Sequence, residues 1–519
     1  MTSLTRPATS HDIVTRLLPI LRATGDHTIE LTSPLDGAHI AHLRISTDGD
    51  MADAFDRARK AKQAWQSVSI KERCSIIRRF HDLVLNEQSE ILDIIQWENG
   101  KARGNAMDEV LDVLLTARYY SRISRKHLKS QKRRGAFPLA TVTREIRHPR
   151  GVIGVISPWN YPFTLAVSDF IPAIIAGNSV VIKPDAQTPL SALWAIEKLR
   201  QAGMPAELVQ VVMGEGFDIG PKIVERADYV MFTGSTRVGR TVAAQAGERL
   251  ISASMELGGK NSLIIDSDVN IKFAAEAAAR GAFANAGQLC IGTERIVVQA
   301  SIYDEFLAAF IEQVNAIKIT GHIGWGSDMG TLINQKQLHT TMHHIADAEA
   351  NGAEVVAGGH RLHEISELAF APTVLVNVSE AAQICSNETF GPVCSVYKWN
   401  LESDLLEFVN NTDYGLNAGI ISRNISWAQS LAPKIKAGTV NINEAFGSAY
   451  ASIDAPMGGM GQSGVGRRHG VEGLLKYTEP QTVAHQRWMK LSPQWWMDDA
   501  GWARFTSFAM RLLKGLRVK

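Results

Sequence analysis

The chain has 519 residues, 45% hydrophobic and 21% charged, which excludes a mostly disordered polymer and exceeds what one hydrophobic core supports, so two or more domains are expected. Lys and Arg number 54 against 53 Asp and Glu, a net charge of +1, so no global attraction draws it to nucleic acid. The four cysteines, Cys74, Cys290, Cys385 and Cys394, show neither a CxxC pair nor the spacing of a disulfide framework or zinc site, which reads as a protein of a reducing compartment, the cytoplasm.

The opening stretch MTSLTRPATSHDIVTRLLPILRATGD is interrupted by charges and lacks the apolar core and cleavage site of a secretion signal. No membrane span is expected either: the nearest apolar run, FTLAVSDFIPAIIAG, carries Asp169 and a proline and falls short of the roughly 18 residues a bilayer requires. From residue 50 to about 130, apolar residues recur three and four apart and predict helices. From 151 onward, GVIGVIS, SVVIKP, LVQVVMG and YVMFTG alternate with helical segments near 162–176 and 189–202, a repeated βαβ pattern. These strands are almost continuously apolar, so helices are expected on both faces of an open parallel sheet. A second α/β series runs through NSLIIDS, RIVVQA, TVLVNV, PVCSVYKW and GTVNINEA.

Two segments stand outside this alternation. Arg122 to Arg134 holds seven Lys or Arg and no acid, read as a solvated helix end and connector. After residue 486 come Trp488, Trp495, Trp496 and Trp502, then RFTSFAMRLLKGLRVK. There Phe505, Phe508, Leu512, Leu513 and Leu516 fall on one helical face beside basic residues. Packing against protein and peripheral contact with a membrane are the two readings of that face.

A free cysteine is usually a small buried hydrophobe, and Cys290 in GQLCIGTER is a candidate nucleophile only in context. SPWNYP (157–162), MELGGKN (255–261) and NETFGPV (387–393) supply that context by placing polar residues at or near predicted strand ends. Asn160 carries an amide able to donate to an oxyanion, and Glu256, followed by two glycines that leave room beside it, is a candidate general base.

With KPDAQTP (183–189), FTGSTRVGR (232–240), GLNAGI (415–420) and APMGGMGQSGVGRRHG (455–470) in the same order, the chain resembles the aldehyde dehydrogenase superfamily from about residue 25 to 485, closest to its NADP-type succinate-semialdehyde dehydrogenase subgroup of the second form. The resemblance implies a doubly wound cofactor domain (1–136 and 151–256), a second α/β catalytic domain (257–455), a small β-arm (137–150 and 480–490) that makes a homodimer or homotetramer, and a tail from 491 to 519. It also implies the chemistry. Cys290 attacks the aldehyde carbon, Asn160 and the Cys290 N–H hold the oxyanion, hydride leaves for the nicotinamide, and Glu256 activates the water that releases the acid.

By the same resemblance, Trp159 and Asn160 border the nicotinamide, Lys183 reaches the adenosine ribose, and Gly234 and Ser235 open a helix toward the pyrophosphate. Leu257 touches the nicotinamide, Glu388 holds its ribose and Phe390 packs nearby. Where NAD-preferring members often carry a glutamate, this chain has Ala186, beside Asp185; losing that carboxylate favours NADP while leaving NAD possible. The arginines that bind a succinate-semialdehyde carboxylate are replaced by Ala284 and Ser168, with Ser463, Arg467 and Arg468 as candidate substitutes. Tyr161, Phe163, Trp194 and Phe446 are apolar candidates for the tunnel. The expected substrate is thus succinate semialdehyde, with a broad range of apolar aldehydes as the alternative. A non-catalytic protein would have no need to keep Cys290, Glu256, Asn160, Lys183 and Glu388 together.

Overall fold

The computed structural model describes residues 4–137 and 140–515. It divides into two compact units, one holding the chain up to Arg125 together with Pro149–Tyr477, the other Lys126–His148 together with the chain after Thr478.

Four helices, Asp48–Gln66, Ile70–Asn86, Gln88–Asn99 and Arg103–Leu128, occupy the stretch read as helical. The first starts on a capping box: Thr47 accepts the Asp50 N–H, and the Asp50 carboxylate accepts the Thr47 N–H. Gly100, in the left-handed conformation at φ 81°, closes the third. Ahead of them, Thr28–Thr32 and His39–Arg44 pair as an antiparallel hairpin that the sequence reading did not include.

The first sheet has seven strands in the order Leu21–Arg22, Val209–Val212, Ser179–Lys183, Val152–Ile156, Tyr229–Thr233, Ala253–Glu256 and Gly464–Val465. From Val152–Ile156 the chain winds outward through Ser179–Lys183 and Val209–Val212, then crosses to Tyr229–Thr233 and winds the other way. The crevice where the order reverses therefore lies between Val152–Ile156 and Tyr229–Thr233, the position at which doubly wound sheets bind ligands. Val152–Ile156, Ser179–Lys183 and Tyr229–Thr233 are buried throughout, which is why they read as unbroken apolar runs.

The second sheet orders Glu354–Ala357, Thr373–Val376, Val393–Trp399, Thr293–Gln299, Asn261–Ile265, Asn417–Ile421 and Thr439–Ile442. It is parallel except for Glu354–Ala357, which pairs antiparallel at one edge. Its largest cluster of buried side chains is built by Phe283, Phe306, Phe310 and the aliphatic residues around them.

Two boundaries differ from the sequence reading. Gly464–Val465, beyond the segment given to the second domain, returns to the first sheet, because Glu256 and Gly464 are antiparallel partners. Gln131–Arg134 pairs with Thr141–Pro149, and Thr478–Gln486 completes that three-stranded sheet, so the arm starts before 137 and takes up Thr478. The basic run thus ends one helix and forms an edge strand, with Arg133 paired to Glu145 at 2.5 Å. The tail contains a helix, Asp499–Gly515; Leu516, placed on its apolar face by sequence, lies outside the described residues. Among the described residues, no helix is long and apolar enough to cross a membrane.

Candidate active site

Cys290 follows a reversal of chain direction. The helix Ile271–Phe283 ends at Ala284, and Asn285, Ala286 and Gly287 all take left-handed φ values of 52°, 53° and 70°. Gly287 permits this turn: a Cβ there would stand 1.9 Å from the Gly391 carbonyl oxygen. Gln288, fully buried, pins the turn by donating to the carbonyls of Asn285 (3.1 Å) and Thr331 (3.2 Å) and accepting the Ile333 N–H (2.9 Å). Cys290 emerges half-buried as a free thiol, its own carbonyl held by Asn261 Nδ2 at 2.7 Å. Burial pushes the thiol up to about 12, and Glu388 and Glu256 push the same way against Arg468.

Asn160 lies just beyond the end of Val152–Ile156, at the reversal of strand order. Its Nδ2 donates to the Gln288 carbonyl at 3.0 Å, which binds it directly to the Cys290 turn. Its backbone carbonyl accepts from Lys101 Nζ at 2.7 Å and Asn285 Nδ2 at 3.0 Å. Lys101 is in turn paired at 2.6 Å with Glu109, both wholly buried. The other Glu109 oxygen accepts the N–H groups of Phe163 and Thr164 in the first turn of the helix Pro162–Ala176. Sequence reading missed this Lys101–Glu109 pair; the only local signal was a lysine directly after a helix-ending glycine.

Glu256 closes the strand Ala253–Glu256, and Leu257-Gly258-Gly259 carries the chain from the first sheet to the second. These glycines leave no room for side chains. A Cβ on Gly258 would come within 2.5 Å of Glu388 Oε2, and one on Gly259 within 2.6 Å of the Cys290 carbonyl. The Gly259 N–H donates to Glu388 Oε1 at 2.9 Å. Ser463 holds this segment from behind, its Oγ donating to the Gly258 carbonyl at 2.7 Å and its carbonyl accepting the Leu257 N–H at 2.9 Å. Strand ends of the first sheet therefore meet strand starts of the second, and Glu388 and Cys290 precede their strands instead of following them.

Glu256 Oε1 is buried with no hydrogen-bond partner. Burial pushes this carboxyl up to about 7, while Arg468 and Lys476 pull it back. Arg468 lies 3.5 Å and Lys476 3.9 Å from the buried Asp169. Glu388 is pushed up to about 8 by burial, with the nearby Glu294 adding to the shift. Glu294 also sets the Glu388 loop: it takes Lys260 Nζ at 2.5 Å and the N–H groups of Thr389 and Phe390. Phe390, at φ 55°, meets Trp159 edge to face at 5.5 Å between ring centroids.

The remaining sequence candidates lie along the first sheet's strand ends. The helix Thr236–Glu248 starts at Ser235, which gives its N–H groups no side-chain cap, and Gly234 is bonded through its N–H to the Glu256 carbonyl at 3.0 Å. Lys183, the last residue of its strand, is buried; its ammonium reaches the Pro184 carbonyl at 3.3 Å, and burial lowers its pKa. Asp185 Oδ1 accepts from the Gln187 N–H at 3.0 Å and Gln187 Nε2 at 3.2 Å, which fixes the direction of its carboxylate. Ala186 is half-buried beside it.

Several substrate-side expectations are corrected. Trp194 is fully buried, bonded through Nε1 to Glu90 at 2.6 Å and packed on Phe163 at 5.9 Å, so both rings belong to the core. Ser463 is occupied with Gly258, Arg467 donates to the carbonyls of Gly459 and Gly466, and Arg468 is held by Asp169. Ser463 and Arg468 are thus already partnered, while Arg467 is engaged through Nη1 alone. Ser168 donates to the buried Asp112 at 2.6 Å. Ala284 lines a cavity of about 490 Å³ with Asp108, Glu276, Asp328 and one cation, Arg280. Glu444 neutralises Arg280 at 3.4 Å, and the guanidinium lies over the Phe446 ring at 5.7 Å.

A crevice at the reversal of a doubly wound sheet, with an uncapped helix start in the first sheet's layer and a half-buried thiol carried by a second α/β sheet, is the architecture of a two-domain α/β enzyme. The chain belongs to the aldehyde dehydrogenase family, whose model matches residues 21–483, and it is an oxidoreductase that acts on aldehydes. A Mycolicibacterium smegmatis protein provisionally named succinate-semialdehyde dehydrogenase [NADP(+)] is 44% identical over 480 residues, covering 92% of this chain and 93% of its own. The 4,4'-diapolycopene aldehyde oxidase of a Methylomonas species is 34% identical, covering 93% and 90%. Among solved structures, an aldehyde dehydrogenase from Bacillus cereus superposes with a TM-score of 0.88 at 30% identity, covering 93% of this chain and 100% of its own.

Proposed function

We propose that this chain oxidises an aldehyde to a carboxylic acid with NADP, through a thioester on Cys290. The overall balance is aldehyde, water and NADP⁺ giving acid, NADPH and a proton. The supporting observation is that three segments converge beside Cys290: Asn160 is hydrogen-bonded to Gln288 two residues before it, Gly259 passes so close to the Cys290 carbonyl that no side chain fits between them, and the Glu256 carboxyl is near enough to raise the thiol's pKa.

The Cys290 thiol releases its proton to solvent, the proton of the overall balance, and the thiolate Sγ adds to the aldehyde carbon; the oxyanion formed is held by Asn160 and the Cys290 N–H. Asn160 Nδ2 has two N–H bonds; Gln288 takes one, leaving one for the oxyanion. After oxidation to the thioester, Glu256 takes a proton from water with its unpartnered Oε1, and the acid departs as the thiol is restored. Bound NADP supplies the oxidised nicotinamide that accepts the hydride.

The residues present fit that cofactor. The uncapped start of Thr236–Glu248 offers N–H groups to a pyrophosphate, and the Lys183 ammonium keeps donors for ribose or phosphate oxygens. In this reading the Glu388 carboxylate, held by the Gly259 N–H, takes the other ribose. Asp185 is turned to Gln187 and Ala186 adds no charge, so a 2′-phosphate meets Lys183 without an opposing carboxylate at 186. Ala186→Glu is expected to lower kcat/KM for NADP about tenfold or more while sparing NAD. An unchanged ratio, or a wild-type efficiency with NAD far above that with NADP, contradicts the assignment.

Succinate semialdehyde, named for the Mycolicibacterium relative, is the first substrate of this reading. A specific observation favours a second, an uncharged aldehyde: Asp112 lies behind Ser168, acids outnumber the single neutralised arginine around Ala284, and a relative is named for a diapolycopene aldehyde. Comparing kcat/KM for succinate semialdehyde and butanal separates them. A hundredfold preference for the charged substrate, about 2.7 kcal/mol, establishes the first; equal values or a preference for butanal establish the second.

The same reading gives the chain a homodimeric or homotetrameric assembly and a peripheral membrane contact through its tail. Thr478–Gln486 supports the assembly, as an edge strand whose side chains from 479 to 485 are exposed.

A further inference from the structure

The family match ends at residue 483, and the chain beyond it has its own composition. It ends in a helix, Asp499–Gly515, started by Asp498, whose Oδ1 accepts the Gly501 N–H at 2.7 Å. Trp502 fastens this helix within its unit, edge to face on Phe137 at 6.1 Å and beside Phe505 at 5.8 Å. The more sheltered side of the helix is Trp502, Thr506, Ala509 and Leu513, at the four-three-four spacing of one helical face. Next to it a second apolar stripe, Phe505, Phe508 and Leu512, faces outward, with Phe508 65% exposed. Ahead of the helix, Trp488 and Trp496 are also exposed and Trp495 is 96% exposed.

Charge decides what such a surface meets. After Asp499 the sequence holds five Lys or Arg and no Asp or Glu. Arg504 and Arg511 lie one turn before and one turn after Phe508, so a cationic stripe borders the apolar one along the helix. Lys514 extends it toward the helix end, and Lys490 lies in the segment ahead of the helix with the exposed tryptophans. A protein groove for the apolar stripe would have to bring its own acids to match the cations. An anionic bilayer offers both at once, hydrocarbon for the Phe and Leu side chains and phosphates for the cations, and indoles prefer the headgroup layer between them. The helix has 17 residues, about 25 Å at ~1.5 Å per residue. Among the described residues no helix is long and apolar enough to span a bilayer, so contact of this helix with a bilayer would run along the surface plane.

We propose that residues 488–515 dock the enzyme on an anionic phospholipid surface. Trp488, Trp495, Trp496, Phe508 and Leu512 enter the headgroup layer, while Lys490, Arg504, Arg511 and Lys514 lie over lipid phosphates. The inference rests on the peripheral membrane contact proposed above and deepens it by naming the lipid class and the docking residues; it stands whichever aldehyde is used, because none of these residues belongs to the catalytic or cofactor-binding set.

The test is co-sedimentation of the full chain with vesicles of phosphatidylcholine alone and of phosphatidylcholine mixed with phosphatidylglycerol. The expected result is binding to the mixed vesicles only, weakened by salt. The triple variant Arg504→Gln, Arg511→Gln, Lys514→Gln is expected to lose about a hundredfold in partitioning. Trp495→Ser with Trp496→Ser should also bind more weakly, and both variants should oxidise a water-soluble aldehyde at the wild-type rate, which shows them folded. Three results overturn the proposal: equal binding to both vesicle types, a neutralised variant that binds like the wild type, or no lipid binding together with a change of oligomeric mass in the variants. The last would assign the face to a protein contact.

Discussion

Cys290→Ala is expected to lower the rate of NADPH formation from any aldehyde by about 10⁴-fold or more, the scale of loss when a covalent nucleophile is removed. In the proposed reaction the thiol adds to the aldehyde carbon and leaves again as the thioester breaks. The turn at Asn285, Ala286 and Gly287 does not depend on its sulfur, so the variant should fold and still bind cofactor. Binding can be followed by quenching of intrinsic tryptophan fluorescence. Because burial pushes the thiol up to about 12, the free enzyme holds little thiolate at neutral pH. Alkylation by iodoacetamide should therefore accelerate steadily with pH across the neutral range. Aldehyde oxidation that survives Cys290→Ala unchanged would remove this cysteine from the mechanism.

Glu256→Gln separates the two halves of the reaction. Without a base for the hydrolytic water, turnover should fall about 10²- to 10⁴-fold, yet one NADPH per site should still form quickly, because attack and oxidation need only Cys290 and the oxyanion donors. Rapid-quench mixing would show a burst followed by a stalled steady state. In the wild-type enzyme the base must be ionised to act, and its carboxyl is pushed up to about 7. If hydrolysis limits turnover, kcat should be low below pH 7, rise through about 7 and level off above it. The cations facing Glu256 are Arg468, Lys476 and Arg467, and the nearby acid is Asp169. Removing the positive charge with Arg468→Gln should move that midpoint upward. A burst lost together with turnover would give Glu256 a role in the first half-reaction instead.

Much of this architecture is legible in one sequence because buried parallel strands leave a distinctive trace. GVIGVIS, SVVIKP and YVMFTG are apolar at consecutive positions, and each leads to a candidate site residue: Asn160 shortly after the first, Lys183 in the second, Gly234 at the end of the third. The glycine that permits the Cys290 turn was visible, though not the Gly391 carbonyl that forbids anything larger. Contacts between distant segments were hidden. Nothing near Ser168 announces that Asp112 will take its hydroxyl, and nothing near Asn160 announces Lys101. Phe163 was read as a tunnel side chain because Pro162–Ala176 is buried along its whole length, and a helix buried all round has no periodicity to show which face meets substrate; Trp194, on the helix Leu190–Gln201, was read the same way because nothing beside it announces its bond to Glu90. Asp185 could not be oriented from sequence, since its direction depends on a hydrogen bond to the Gln187 N–H two residues on.

The late return of Gly464–Val465 to the first sheet has a consequence for how the molecule is made. Glu256 is synthesised about 200 residues before the strand that flanks it. At roughly 5–20 residues per second on the ribosome, that interval lasts about 10–40 s. During this time the nascent first sheet has an open edge at Ala253–Glu256, and the carboxylate that will face Arg468 has only water for company. The whole second sheet must emerge before the edge is covered. An uncovered strand edge is a template for pairing with another chain, and this one stays open until Gly464–Val465 emerges.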